Sequence, residues 1–186
     1  MGKILTELSD KLKEFIEAQP VFFTGTAPAD GRVNVSPKGM DSFRVLSSTQ
    51  VAYLDLTGSG NETSAHLEQN GRMTIMFCSF ERNPLILRLY GRGRVVRKFE
   101  PEWAQWEKEF RAIPGSRQVV VLDIDSIQTS CGFGVPLFGK AQERSTLLEW
   151  AEKKGEDGLE EYRQQKNVVS IDGLSTGWAK VSEETQ

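Results

Sequence analysis

The chain has 186 residues, 26% of them charged, and a formal net charge of −3, which suits one ordinary domain with a real core. It lacks the concentrated positive surface that phosphate-backbone binding needs, so nucleic acid is not an expected partner. No apolar run nears the length of a membrane span and the N-terminal stretch MGKILTELSDKLKEF is charged throughout, so neither a membrane nor a secretory route is expected.

In chain order, Leu5, Leu8, Leu12, Phe15 and Ile16 recur at helical spacing before Pro20, predicting an amphipathic helix over residues 3–18. The period then shortens. Val21–Thr26 reads as a strand, and Asp30-Gly31 marks a turn into a second strand at Val33–Ser36. Further strands are predicted at Phe43–Ser47, Val51–Leu56, Met73–Phe80, Leu85–Val96 and Val119–Ile127. Helices are expected at Glu62–Asn70 and Pro101–Arg111, and residues 143–166 form a charged helical stretch broken at Gly155 and Gly158. Strands joined by short turns, with helices as insertions, point to a mainly antiparallel barrel with α additions. The tail from about residue 141 is too short to fold alone and is expected to pack on that barrel within a single domain.

Three stretches carry candidate chemistry. In DLTGSGNET (residues 55–63) a strand runs through Gly58, Ser59 and Gly60 into a helix near Asn61. The first N–H groups of such a helix lack partners and carry partial positive charge, so with Ser59, Asn61 and Thr63 they form a plausible anion seat. The same residues also suit a capped turn with no ligand. The loop is neither a Walker loop nor a dinucleotide fingerprint. In NVSPKG, alternation puts Asn34, Ser36 and Lys38 on one face and Val33, Val35 and Pro37 on the other. In LILRLYGRGRVV it groups Arg88, Tyr90, Arg92 and Arg94 opposite Leu87 and Leu89, and arginine suits bidentate contact with phosphate. His66, the one histidine, reads as structural. Cys78 and Cys131, without a CxxC pair, offer no metal site and read as reduced thiols of a cytoplasmic protein.

From about residue 15 to 127 the chain resembles the pyridoxamine 5′-phosphate oxidase-like, FMN-binding split β-barrel proteins. The resemblance rests on Lys38-Gly39 after a strand, on YLDLTGSGNETSAHLEQNGRMTIMF at 53–77 and on RLYGRGRV at 88–95. It implies a mainly β fold with added helices, a homodimer, and FMN bound at the interface. It places Val35, Ser36, Pro37 and Lys38 along the flavin and ribityl chain. Leu56, Thr57, Asn61, Glu62 and Thr63 would surround the phosphate.

The departures are specific. The oxidases carry Ser-Arg-Lys where this chain has Asn61-Glu62-Thr63, so the phosphate charge falls to Lys38, to an arginine such as Arg88, or to backbone alone. The oxidases' C-terminal Trp-Gly-Gly and Arg-Leu-His-Asp-Arg signatures are absent, and pyridoxamine phosphate oxidase activity itself is not expected. Two readings stay open: an FMN-dependent oxidoreductase acting on a small molecule, or a non-catalytic flavin- or haem-binding module for sensing or storage. Catalytic residues are not assigned.

Overall fold

In the computed structural model, which describes residues 3–178, the strands form one antiparallel sheet. They are β1 (Ile4–Leu5), β2 (Phe22–Thr26), β3 (Asn34–Lys38), β4 (Phe43–Val45), β5 (Gln50–Leu56), β6 (Arg72–Cys78), β7 (Ile86–Arg97) and β8 (Ser116–Ser130). Their order is β3-β2-β6-β7-β8-β5-β4, with β1 paired to β8 off this path. The helices are α1 (Asp10–Glu17), α2 (Glu62–Asn70), α3 (Trp103–Trp106) and α4 (Thr146–Lys166). The sheet curls so that β3 and β5, far apart in strand order, meet through a Lys38 Nζ to Asp55 Oδ1 contact of 2.7 Å. This is the mainly β split barrel with added helices that the resemblance implies.

Alternation decides where the core sits. Leu87, Leu89, Ile75, Val51 and Tyr53 are wholly buried and join Phe22, Phe77, Leu122 and Ile127 inside the curl. On the opposite face of β5 and β8, Ala52, Leu54, Val119 and Val121 pack against Trp103, Phe110 and Ile113. Both faces of these two strands are therefore covered, which explains their near-continuous apolar runs. Each fully buried aliphatic side chain contributes about 1.5–3 kcal/mol.

Besides shifts of a few residues at strand ends and a C-terminal helix that breaks at Gly155 and not at Gly158, the departures from the sequence-based expectation fall in the first helix and in Pro101–Arg111. The first helix starts at Asp10 rather than near residue 3, because Ile4 and Leu5 pair with Gln128 and Ile127 of β8. Leu12 and Ile16 still bury one face of α1, and Leu8, just ahead of it, is buried too. Pro101–Arg111 is not one helix: α3 spans only Trp103–Trp106 and continues as a 3₁₀ turn over Glu107–Glu109, which lets Trp103 and Phe110 both reach the second cluster. Helix α2 matches its expected bounds. It stops at Gly71, whose φ of 67° is left-handed and whose N–H bonds the Leu67 carbonyl at 3.0 Å.

Candidate functional site

A cleft of about 290 Å³ opens between β3, the end of β5 and the start of α2, lined by Asn34, Ser36, Lys38, Leu56, the loop from Gly58 to Thr63, Asp55 and Arg117. Each wall follows from local sequence. Alternation in β3 turns Asn34, Ser36 and Lys38 inward, while Val35 and Pro37 face outward and are exposed. Gly58 and Gly60 keep the loop bare: a Cβ at Gly58 would meet nothing within 4 Å. The Asn61 side chain makes no cap bond to the helix, so the Glu62, Thr63 and Ser64 N–H groups have no acceptor among the described residues. The positive end of α2 is thus left to face the cleft.

The floor is electrostatic. Asp55, 2% exposed, accepts from Lys38 Nζ at 2.7 Å, from Arg117 Nε at 2.9 Å and from Gln118 Nε2 at 2.8 Å. Burial alone would raise its carboxyl, but the positive charges of Arg117 and Lys38 prevail and hold it well below the usual carboxylate range. Two cations thus share one buried carboxylate, leaving the floor positive. Glu62 lies at the rim, where its carboxylate accepts the Ile171 N–H at 3.0 and 3.2 Å.

The side walls are tied down by hydrogen bonds. Asn34 Nδ2 donates to Thr63 Oγ1 at 3.1 Å and to Thr26 Oγ1 at 3.2 Å, and Thr26 Oγ1 in turn meets His66 Nδ1 at 3.0 Å. Burial pushes the His66 imidazole below its usual value, so behind the wall, outside the cleft lining, a neutral ring braces Thr26. Asn61 Oδ1 accepts from Gln118 Nε2 at 2.8 Å.

Of the residues singled out from sequence, Ser36, Lys38, Leu56, Asn61, Glu62 and Thr63 line this one cleft. Thr57 lies beneath it: its hydroxyl donates to the Gly115 carbonyl at 2.8 Å and accepts from Arg163 Nε at 2.9 Å. Val35 and Pro37 sit on the outer face of the same strand. Arg88 lies on the outer face of β7, where it donates to Ser130 Oγ at 3.2 Å, and does not line the cleft. Sequence reasoning missed Asp55, Arg117, Gln118 and Asn167. The one available signal was the polar run Ser116-Arg117-Gln118 directly before the apolar Val119–Leu122.

The arrangement can bind an anion with a polar chain: unpaired helix N–H groups, two cations and hydroxyl donors converge within one small cleft. Among the described residues no cluster of His, Cys, Asp and Glu could hold a metal ion, and no helix is long and apolar enough to cross a membrane.

The family model for pyridoxamine 5′-phosphate oxidase matches residues 8–131. A pyridoxamine 5′-phosphate oxidase family protein of Aspergillus flavus, ustO, is 43% identical over 187 residues, covering 90% of this chain and 74% of that one. Among solved structures, HupZ of Group A Streptococcus superposes with a TM-score of 0.51 at 23% identity, over 64% of this chain and 91% of its own. A Lactobacillus delbrueckii protein, described as a candidate pyridoxamine 5′-phosphate oxidase, gives a TM-score of 0.52 at 17% identity, over 66% of this chain and 98% of its own. At these identities the two structures establish the fold alone.

Proposed function

The chain belongs to the pyridoxamine 5′-phosphate oxidase family, and from that premise we propose that it binds FMN, with the phosphate in the cleft between β3, β5 and α2, and acts as an FMN-dependent oxidoreductase on a small molecule. The observation that carries this reading is the convergence of the unpaired α2 N–H groups with Lys38 above a positively charged floor. A phosphate finds donors there with no reorganisation of the loop. Ser36 and Asn34 supply polar contacts further along β3, the direction a ribityl chain would take. A bound flavin would supply the hydride and electron transfer, so the protein's task is to hold and orient it.

At about 290 Å³ the cleft is at the small end of ligand pockets, which run roughly 300–1,000 Å³, so the ring system must extend beyond it. Val35 on the outer face of β3 and Val33 just before the strand are 67% and 72% accessible, an apolar surface suited to a second copy of the chain. A homodimer that encloses the ring follows from this reading, and light scattering reports it. The alternative of a haem-binding module would need an axial ligand such as His66, Cys78 or Cys131, and none of these lines this cleft.

The experiment is a flavin fluorescence titration with FMN and riboflavin side by side. The phosphate contact should make FMN bind about ten- to a hundredfold more tightly. Equal affinities would overturn the phosphate seat. Reduction of the bound flavin by NADH or NADPH, with transfer to an acceptor, separates an enzyme from a carrier.

A further inference from the structure

Strand β8 pairs regularly with β5 until its first residues, where Asp55 opposes Gln118 but Leu56 opposes Ser116. Arg117 is the extra residue between them, on a β-bulge. Bulges re-aim the side chain they carry and recur beside functional sites. Here the bulged side chain reaches the cleft while remaining only 5% exposed.

Two anchors fix the plane of its guanidinium. Nε donates to Asp55 Oδ2 at 2.9 Å, and Nη1 donates to Asn167 Oδ1 at 2.6 Å. Nη2 makes no hydrogen bond among the described residues, and it remains available to the cleft that Arg117 lines. Asn167 is wholly buried and follows α4. Its Nδ2 also donates to the Gly58 carbonyl at 3.1 Å, so one side chain holds both the guanidinium and the glycine loop. Asn167 lies outside residues 8–131, the stretch matched to the family.

We propose that Arg117 is the cation that receives the ligand's phosphate, and that Asn167, from the segment beyond the barrel, is the positioning residue that sets its pose. This rests on the reading of the cleft as a phosphate seat. The loop Asn61-Glu62-Thr63 carries no cation, and a guanidinium from the floor of the cleft stands in for one. Lys38 shares Asp55 but is a single, strongly hydrated point charge. The Arg117 guanidinium is held in a fixed plane and keeps Nη2 as a charged donor, the kind of group that suits phosphate.

The test measures FMN and riboflavin affinities for the wild type, Arg117→Gln, Arg117→Lys and Asn167→Ala, with riboflavin reporting everything except the phosphate. Arg117→Gln should cut the preference for FMN about tenfold or more while riboflavin binding is unchanged. Arg117→Lys keeps the charge beside Asp55 and decides the matter should the glutamine variant not fold; it should lose several-fold of the preference. Asn167→Ala should lose a smaller part, again without touching riboflavin. A full FMN preference in Arg117→Lys overturns the assignment of Arg117, and a full preference in Asn167→Ala overturns its positioning role. Should the wild type bind neither flavin, the proposed function fails, and inorganic phosphate becomes the probe. A phosphate-induced rise in melting temperature that Arg117→Lys abolishes upholds the Arg117 site without FMN; a rise in both proteins, or in neither, overturns it.

Discussion

Replacing Lys38 with methionine keeps most of the side chain's bulk and removes its ammonium from the Asp55 carboxylate 2.7 Å away. Orphaning a buried ion costs about 3–5 kcal/mol. Asp55 would not be orphaned, since Arg117 and Gln118 still donate to it. The expected loss is therefore that of one charged hydrogen bond, about 1.5–3 kcal/mol. For a chain of this length each kcal/mol moves the melting temperature by about 2–4 °C, so the ligand-free variant should melt about 3–12 °C lower at neutral pH.

The difference should also depend on pH, with a sign set by Asp55. Its folded carboxyl is held below the ordinary value by Arg117 and Lys38, against the opposing effect of burial. The stability this provides is complete above the unfolded carboxyl value of about 3.9 and is lost as pH falls towards the folded one. The gap between wild type and Lys38→Met should thus be widest at neutral pH and narrow below about pH 4. Melting curves followed by circular dichroism across that range provide the assay. An unchanged melting temperature at neutral pH, or a gap that stays constant into acid, would refute the reasoning.

Glu62 provides a second test. A Glu62 carboxylate aimed at a bound phosphate would repel it, and Glu62→Gln would then tighten FMN binding. With the carboxylate directed at the Ile171 N–H, the expected result is little change, because glutamine keeps an acceptor. Glu62→Ala removes that acceptor and should speed hydrogen exchange at the Ile171 amide, while exchange in β7 stays slow. Gly91 tests the sheet itself. A Cβ there would collide with the Asp123 carbonyl oxygen, a backbone atom that cannot step aside. Gly91→Ala should then cost more than about 3 kcal/mol, above the usual overpacking range, and a urea midpoint close to that of the wild type would contradict this close approach.

Much of the architecture is written locally. Strand β7 is legible from the alternation of Leu87 and Leu89 with Arg88 and Tyr90, and α2 from the loop before Glu62 and the glycine at its end. Such signals span only a few residues, so no distant partner is needed to read them. The inward turn of Asn34, Ser36 and Lys38 is equally local, because a strand has a period of two. That same period sends Val35 and Pro37 to the outer face, and it takes Arg88 to the outside of β7.

Long-range pairing decided the rest. Residues 4 and 5 have helical spacing but lie beside β8, where strand hydrogen bonds prevail over a helix turn. Arg117 lies ahead of the strand predicted at Val119–Ile127; pairing with β5 extends β8 back to Ser116, and a one-residue mismatch there, some 60 positions from its partner, lifts Arg117 onto a bulge and into the cleft. Asn167 lies at the end of a charged helix and shows no pattern of its own. It becomes part of the site because α4 delivers it to the space between Arg117 and Gly58. Periodicity records which way a side chain points from its own backbone. Which groups meet across the barrel depends on its closure, and the ionic floor of the site is made of such meetings.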